Sequence, residues 1–219
     1  MDDRNTHTGG ASALAAASAP RAPRADALRN RAKLVDAARA AFAAASRGGP
    51  EATLEGIAKA AGVGIGTLYR HFPDRDALVE AVYAAELDAI VEAAAGLAAS
   101  EPPEEALRAW IGRYGDFVAA KRGMADTLRS AFHAGRLAPS TTRARVSEAL
   151  GLLLDAGAKA GVLRADVRAD DVTALLLGVF LSAGPHGEQT PRLLDLVLDA
   201  LRTHPSPSGG TSRPKAGGV

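Results

Sequence analysis

The chain of 219 residues contains no cysteine, which excludes disulfide bonds and zinc sites built on thiolates. Aromatic residues make up only 4 % of the chain and all hydrophobic residues together 47 %, with alanine and leucine dominant. This composition favours helix over strand, with cores built from Ala, Leu and Val. The longest apolar run, 172–183, is too short for a transmembrane helix, so we expect no membrane partner.

The sequence also lacks the common motifs of catalysis and cofactor binding. It has no Gly-x-Ser-x-Gly nucleophile turn, no His-Glu-x-x-His metal pair and no phosphate-binding P-loop. The five histidines, at positions 7, 71, 133, 186 and 204, do not pair at i, i+4 spacing. We therefore expect no enzymatic activity, no catalytic residues, no cofactor and no metal ion.

Helical patterns fill the chain between two segments rich in small and polar residues. We predict disorder for residues 1–24 and 204–219, and we interpret the first as an arm rather than a secretory signal. Between them, glycine and proline breaks separate about nine helices, and no segment shows strand-type alternation. The predicted class is all-α, with a three-helix domain over 25–75 and a larger helical bundle over 76–203.

The most informative stretch, residues 53–72, predicts two short helices joined by a glycine turn. Apolar spacing places Ile57 in the core side of the first helix, and Gly62 supplies the turn. Leu68 and Phe72, at i, i+4, form the buried side of the second. Its other face carries small, hydroxylic and basic groups, which suit a phosphate backbone and base edges. The layout is that of a helix-turn-helix that binds DNA.

The charge distribution agrees with a nucleic-acid partner. Residues 21–76 carry ten basic and six acidic side chains, whereas residues 77–219 carry fifteen and seventeen. The basic excess thus falls on the segment with the helix-turn-helix, as expected of a nucleic-acid-binding surface. A non-enzymatic module that only binds other proteins is the alternative, and salt-dependent DNA binding would separate the two.

Residues 54–78 resemble the DNA-binding domain of the tetracycline-repressor (TetR) family, above all in the run Thr-Leu-Tyr-Arg-His-Phe-Pro at 67–73. The preceding helix, 26–45, matches that family as well, and the remainder resembles it in being all-helical. The resemblance implies a dimeric repressor with near-palindromic double-stranded operator DNA, released by a small, largely apolar ligand that the sequence does not identify. A transcriptional activator of the same family is the alternative. The implied location is the cytoplasm, at the nucleoid.

The resemblance implies DNA contacts along one exposed surface of the N-terminal domain. We expect Thr53 either to contact phosphate or only to cap its helix, and Tyr69 and His71 to contact phosphate. Arg70 is the candidate for bonding guanine, and Ile65 for contacting a thymine methyl. The expected DNA-binding residues are Arg29, Thr53, Gly64, Ile65, Gly66, Thr67, Tyr69, Arg70 and His71.

The larger bundle carries two further predicted surfaces. The resemblance implies an apolar ligand pocket, with ordinary core packing as the alternative for each residue, and Arg113 and His133 as candidate polar anchors. The predicted pocket residues are Leu87, Ile90, Trp110, Tyr114, Phe117, Met124, Phe132, Leu153, Leu177 and Phe180. Apolar faces on the last two helices predict a four-helix dimer interface. Its predicted residues are Leu175, Val179, Leu193, Leu194, Val197 and Leu201.

Overall fold

The computed structural model describes residues 23–46 and 48–203. Within those ranges it contains nine helices and no strand, apart from one isolated bridge between Leu163 and Arg202. The predicted all-α class is therefore confirmed. The predicted tail over 204–219, and the predicted arm except for its last two residues, lie outside the described residues.

The helices follow one another with short connections, and their number within the described residues agrees with the about nine predicted from the glycine and proline breaks. They are α1 (Pro23–Ser46), α2 (Leu54–Ala60), α3 (Ile65–His71), α4 (Arg75–Ser100), α5 (Pro103–Arg122), α6 (Ala125–His133), α7 (Pro139–Lys159), α8 (Ala169–Ala183) and α9 (Thr190–Leu201). Proline begins α1, α5 and α7, where its missing N–H and fixed φ are compatible with the first helical position.

The first helix begins three residues earlier than its sequence suggests. Asp26, a plausible N-cap by residue type, lies instead in the first turn of α1 and forms an ion pair with Arg29. Proline at position 23 explains the earlier start. The buried side of α1 carries Leu34 and Phe42, which join the same core as Ile57 of α2.

The long helix α4 connects the N-terminal domain to the bundle. Asp74 caps it by accepting a hydrogen bond from the backbone N–H of Ala77 at 2.8 Å. Along its length α4 packs mainly against α5 and α7. Trp110 of α5 is fully buried there and donates its indole N–H to the carbonyl oxygen of Ile90 at 2.8 Å. Movements of α4 are therefore shared by both parts of the molecule.

No helix among the described residues is long and apolar enough to cross a membrane. The bundle helices α5, α6, α7 and α8 surround a cleft, and α8 and α9 pack against each other. Three surfaces of the molecule are accessible to a partner or ligand: the exposed face of α3, the cleft, and the outer faces of α8 and α9.

Candidate nucleic-acid interface and ligand cleft

The short helix α3 has one buried and one exposed face. Leu68 is completely buried and anchors the helix to the core, and Phe72 closes its C-terminal end. On the other side, Ile65 is 39 % and Tyr69 47 % exposed. Side chains of this size and hydrophobicity are more often buried. Arg70 is exposed beside them. A seven-residue helix is marginal on its own, so its exposed face is held in place by these buried anchors.

Glycines occupy positions 62, 64 and 66, around the start of α3. Gly62 has φ +67°, the left-handed conformation that favours glycine, and makes the turn after α2. Gly64 is the N-cap of α3 and offers no side-chain hydrogen bond. A Cβ added at Gly64 or Gly66 would meet no atom within 4 Å. The chain's own packing therefore does not require glycine at either position.

The remaining predicted contact residues surround this face. Thr53 caps α2, since its Oγ1 accepts a hydrogen bond from the N–H of Gly56 at 3.1 Å. The capping role is therefore present, and the hydroxyl hydrogen is still available for donation to a phosphate oxygen. Thr67 and His71 are half-buried at the edges of the face. Arg29 lies on α1 and is exposed, with its guanidinium paired to Asp26.

Other basic side chains of the domain have structural roles that the sequence did not reveal. The guanidinium of Arg31 lies 5.3 Å from the ring centroid of Phe72, and that of Arg75 lies 5.1 Å from the ring of Phe42. Arg75 also donates to the carbonyl oxygen of Ala52. These cation–π contacts fasten the ends of α3 and α4 to α1. Part of the basic excess therefore stabilises the domain itself.

A cavity of about 720 Å³ lies between α5, α6, α7 and α8. Four of the predicted pocket residues line it: Tyr114, Phe117, Phe132 and Leu177. Thr142 of α7 also lines it, and its hydroxyl lies 2.7 Å from the Tyr83 hydroxyl of α4. The cavity is large enough for a small organic molecule.

The other predicted pocket residues pack in the core and do not line the cavity. They are Leu87, Ile90, Trp110, Met124, Leu153 and Phe180. Tyr114 lines the cavity and also contacts the core residues. Its ring stacks on Trp110 at 5.6 Å between centroids and meets Phe180 edge-on at 5.7 Å. Helical periodicity identifies a buried face, but it does not distinguish a face that touches its neighbours from one that borders a space.

The charged residues of the cleft were not predicted. Arg113 and His133, the expected polar anchors, are exposed and lie outside it, and the His133 ring hydrogen-bonds within its own helix. The cavity is lined instead by four cationic side chains: Lys121, Arg122, Arg129 and Arg143. For Lys121 a signal was present in the sequence, since it follows Phe117 at i+4 and so shares its helix face.

Burial changes the acid–base behaviour of two residues that line the cleft. The pKa of the Lys121 ammonium is lowered because burial disfavours its charged form. Burial also raises the pKa of the Tyr114 phenol to about 12, although the positive charge of Arg143 acts in the opposite direction. Both shifts have the same physical cause, since Tyr114 is buried and Lys121 half-buried.

The outer faces of α8 and α9 expose large apolar side chains. Leu175 is 59 %, Leu181 60 % and Leu196 66 % exposed. Four predicted interface residues, Val179, Leu193, Leu194 and Val197, are half-buried beside them. Leu201 is only 4 % exposed and belongs to the chain's own core, so it is not available to a partner as predicted.

Two polar contacts connect α6, which lines the cleft, to the beginning of α4. The Thr127 hydroxyl donates to the Asp76 carboxylate at 3.1 Å. Just beyond α6, the Arg136 guanidinium donates to the Glu80 carboxylate at 2.7 Å. Both carboxylates lie in the first two turns of α4, directly after the helix-turn-helix. A displacement of α6 would therefore act on α4 at the end nearest α3.

The fold combines an N-terminal helix-turn-helix, which presents a small exposed helix, with a larger helical bundle. This combination defines a DNA-binding transcriptional regulator. Two family models match the sequence: bacterial regulatory proteins of the tetR family over residues 34–82, and the C-terminal domain of SbtR-like transcriptional regulators over 102–203. Comparison with curated proteins finds no match.

Solved structures extend the likeness over most of the chain. A TetR transcriptional regulator from Streptomyces coelicolor is 44 % identical, with 80 % of this chain aligned to 99 % of that one and a TM-score of 0.70. A TetR regulatory protein from Mycobacterium vanbaalenii is 37 % identical, with 82 % and 99 % aligned and a TM-score of 0.64. The chain therefore belongs to the TetR family of transcriptional regulators. These are non-enzymatic transcription factors, so the expectation of no enzymatic activity is confirmed.

Proposed function

We propose that the protein is a dimeric repressor that leaves its operator when a small ligand binds in the cleft. The observation that carries the DNA-binding part is the exposed face of α3, where Tyr69 and Arg70 are exposed near the glycines at the start of the helix. Side chains of this kind supply both phosphate and base contacts, and the glycines allow the backbone to approach the duplex. Such a protein acts at the nucleoid, in the cytoplasm.

The dimer is supported by the exposed leucines of α8 and α9. Three large apolar side chains on two adjacent helices form a surface that a second copy of the chain would cover, giving a four-helix interface. A twofold dimer presents two α3 helices to successive major grooves, about one DNA turn apart. The operator would then be near-palindromic, with each half contacted by one protomer.

Release is supported by the contacts between α6 and α4. A ligand that fills the cleft touches α6, whose neighbours Asp76 and Glu80 orient the first turns of α4. If the ligand favours a different tilt of α4, the two α3 helices no longer fit adjacent grooves. Coupling between two such sites is typically ~1–3 kcal/mol, which corresponds to a loss of operator affinity of about 5- to 150-fold.

Selection of bound duplexes from a random pool, followed by sequencing, tests the DNA-binding and dimer proposals together. We expect an enriched site with twofold symmetry, and an affinity for it that falls steeply as salt rises. Enrichment of an asymmetric site would contradict the dimeric arrangement. Absence of any enrichment, with the fold intact by circular dichroism, would contradict sequence-specific binding.

A reporter under a promoter that contains the selected site should show lower expression when the protein is present, and higher expression would indicate an activator.

A further inference from the structure

The charge of the cleft differs from that of an ordinary apolar pocket. Four cationic side chains line it and, among the described residues, no carboxylate does. Apart from Thr142 and Thr173, its walls are mainly apolar and aromatic, with Phe117, Phe132 and Leu177 among them. A purely apolar ligand would displace water from any of these charges that lacks a protein partner, at a cost in free energy.

Three of the four cations already have a structural partner or lie in water. Arg122 donates to the carbonyl oxygens of Phe180 and Leu181 at 2.9 and 3.3 Å, near the C-terminal end of α8. Arg129 is exposed at the rim, 3.7 Å from the carboxylate of Asp126. Arg143 donates weakly, at 3.5 Å, to the carbonyl oxygen of Asp170. The contacts of Arg122 and Arg143 join α5 and α7 to α8, whereas the ion pair of Arg129 lies within α6.

Lys121 differs from the other three. Its side chain is half-buried, and the structure gives its ammonium no hydrogen bond or ion pair among the described residues. Its ammonium lies 5.9 Å from the ring centroid of Tyr83 and 5.3 Å from that of Phe132. Such cation–π contacts stabilise a positive charge without neutralising it. A basic residue in the last turn of a helix is ordinarily favoured by the helix dipole, but this side chain extends over two aromatic rings toward the cavity.

We infer that the cleft binds a small amphipathic anion, an acidic head group on an apolar body, with the head group paired to Lys121 and assisted by Arg143. The apolar body lies against Phe117, Phe132 and Leu177. This inference rests on the proposed ligand-binding function and narrows its ligand class from apolar molecules to organic acids. Because a charge-assisted hydrogen bond in a partly dehydrated site is strong, the acidic group contributes affinity as well as orientation.

Two fluorescent dyes with the same body test the inference directly. 1-Anilinonaphthalene-8-sulfonate carries a sulfonate, and N-phenyl-1-naphthylamine is the same ring system without it. Titrated into the full chain in the absence of DNA, the sulfonate should bind at least about ten-fold more tightly. Decanoate should displace it, whereas decanol at the same concentration and inorganic phosphate should not. Equal affinity for the two dyes would overturn the inference, and this comparison needs no variant.

Substitutions on one helix identify the residue responsible. Lys121→Met keeps the aliphatic stem and removes the charge, so the sulfonate preference should fall to less than about three-fold while the neutral dye binds as before. Arg113→Met, also on α5 but exposed and outside the cleft, is the matched control and should keep the preference. A preference that survives Lys121→Met would overturn the role of Lys121. Since no duplex is present, these results are independent of whether the protein binds an operator.

Discussion

Replacing Gly66 by alanine should stabilise the free protein and weaken its binding to DNA. Gly66 lies within α3, and a Cβ added there meets no atom within 4 Å. Alanine is favoured over glycine in a helix by ~0.5–1 kcal/mol, mainly because glycine loses more backbone freedom on folding. Nothing in the described structure opposes that gain. The free energy of unfolding should therefore rise by about that amount.

The same methyl group would stand on the face of α3 that we propose to approach the duplex. Adding a carbon to a closely fitted contact typically costs ~1–3 kcal/mol. Affinity for the selected operator should then fall by about 5- to 150-fold, although the fold is more stable. Opposite signs of the two effects separate a functional glycine from a structural one, because a glycine required by the fold would lose stability on substitution.

A second glycine provides the matched control. Gly112 lies in the middle of α5, is exposed, and also has no atom within 4 Å of an added Cβ. Gly112→Ala should give a similar gain in stability and no change in operator affinity. Stability is measured by urea unfolding at one fixed protein concentration, since dimerisation makes it concentration-dependent, and affinity by fluorescence anisotropy. If Gly66→Ala bound the operator as tightly as the native chain, close approach at Gly66 would be refuted.

Three further predictions concern other parts of the molecule. Arg70→Ala should lose ~1–3 kcal/mol of binding to the selected duplex and much less to a scrambled one; an identical loss on both would assign Arg70 to phosphate. Arg136→Gln breaks an exposed ion pair to α4 and should change operator affinity by about two- to five-fold, whereas Arg108→Gln, which breaks an exposed pair of the same 2.7 Å length between α5 and α9, should not; equal effects would argue against transmission through α6. The Tyr114 phenol should ionise at about pH 12 in an ultraviolet titration, a step that Tyr114→Phe removes. Because this pKa is raised on folding, its stabilising effect is present below pH 10 and is lost as the pH rises toward 12; ionisation at pH 10 in the folded chain would contradict it.

The sequence predicted the helices well because they depend on local signals. Gly62 marks the turn between α2 and α3, and the i, i+4 pair Leu68 and Phe72 marks the buried side of α3. Both signals act within a few residues, so they are visible without knowledge of the tertiary structure. The bounds of α1 were less accurate, since Pro23 and Asp26 are both acceptable near a helix start and only the structure decides between them.

The cleft was less predictable, because it depends on how separate helices face one another. Phe180 and Phe132 have similar patterns in the sequence, yet Phe180 packs among other rings and Phe132 borders the cavity. Leu201 likewise belongs to an apolar helix face but lies in the chain's own core. The cations of the cleft were missed for a related reason, since a basic residue is ordinarily exposed. Lys121 shares a helix face with Phe117, but that spacing alone does not show that its side chain is half-buried.

The position of Lys121 suggests how the negative charge of a ligand would affect α4, the helix that connects the cleft to the DNA-binding domain. A ligand shifts a conformational equilibrium only if it interacts differently with the two states. Lys121 lies over the ring of Tyr83, a buried residue of α4 whose hydroxyl contacts Thr142 in the cleft wall. An anion that draws the ammonium away from that ring changes a direct contact of α4, in addition to any displacement of α6. A neutral molecule of the same size leaves that contact in place, so it would occupy the cleft with a smaller effect on operator binding.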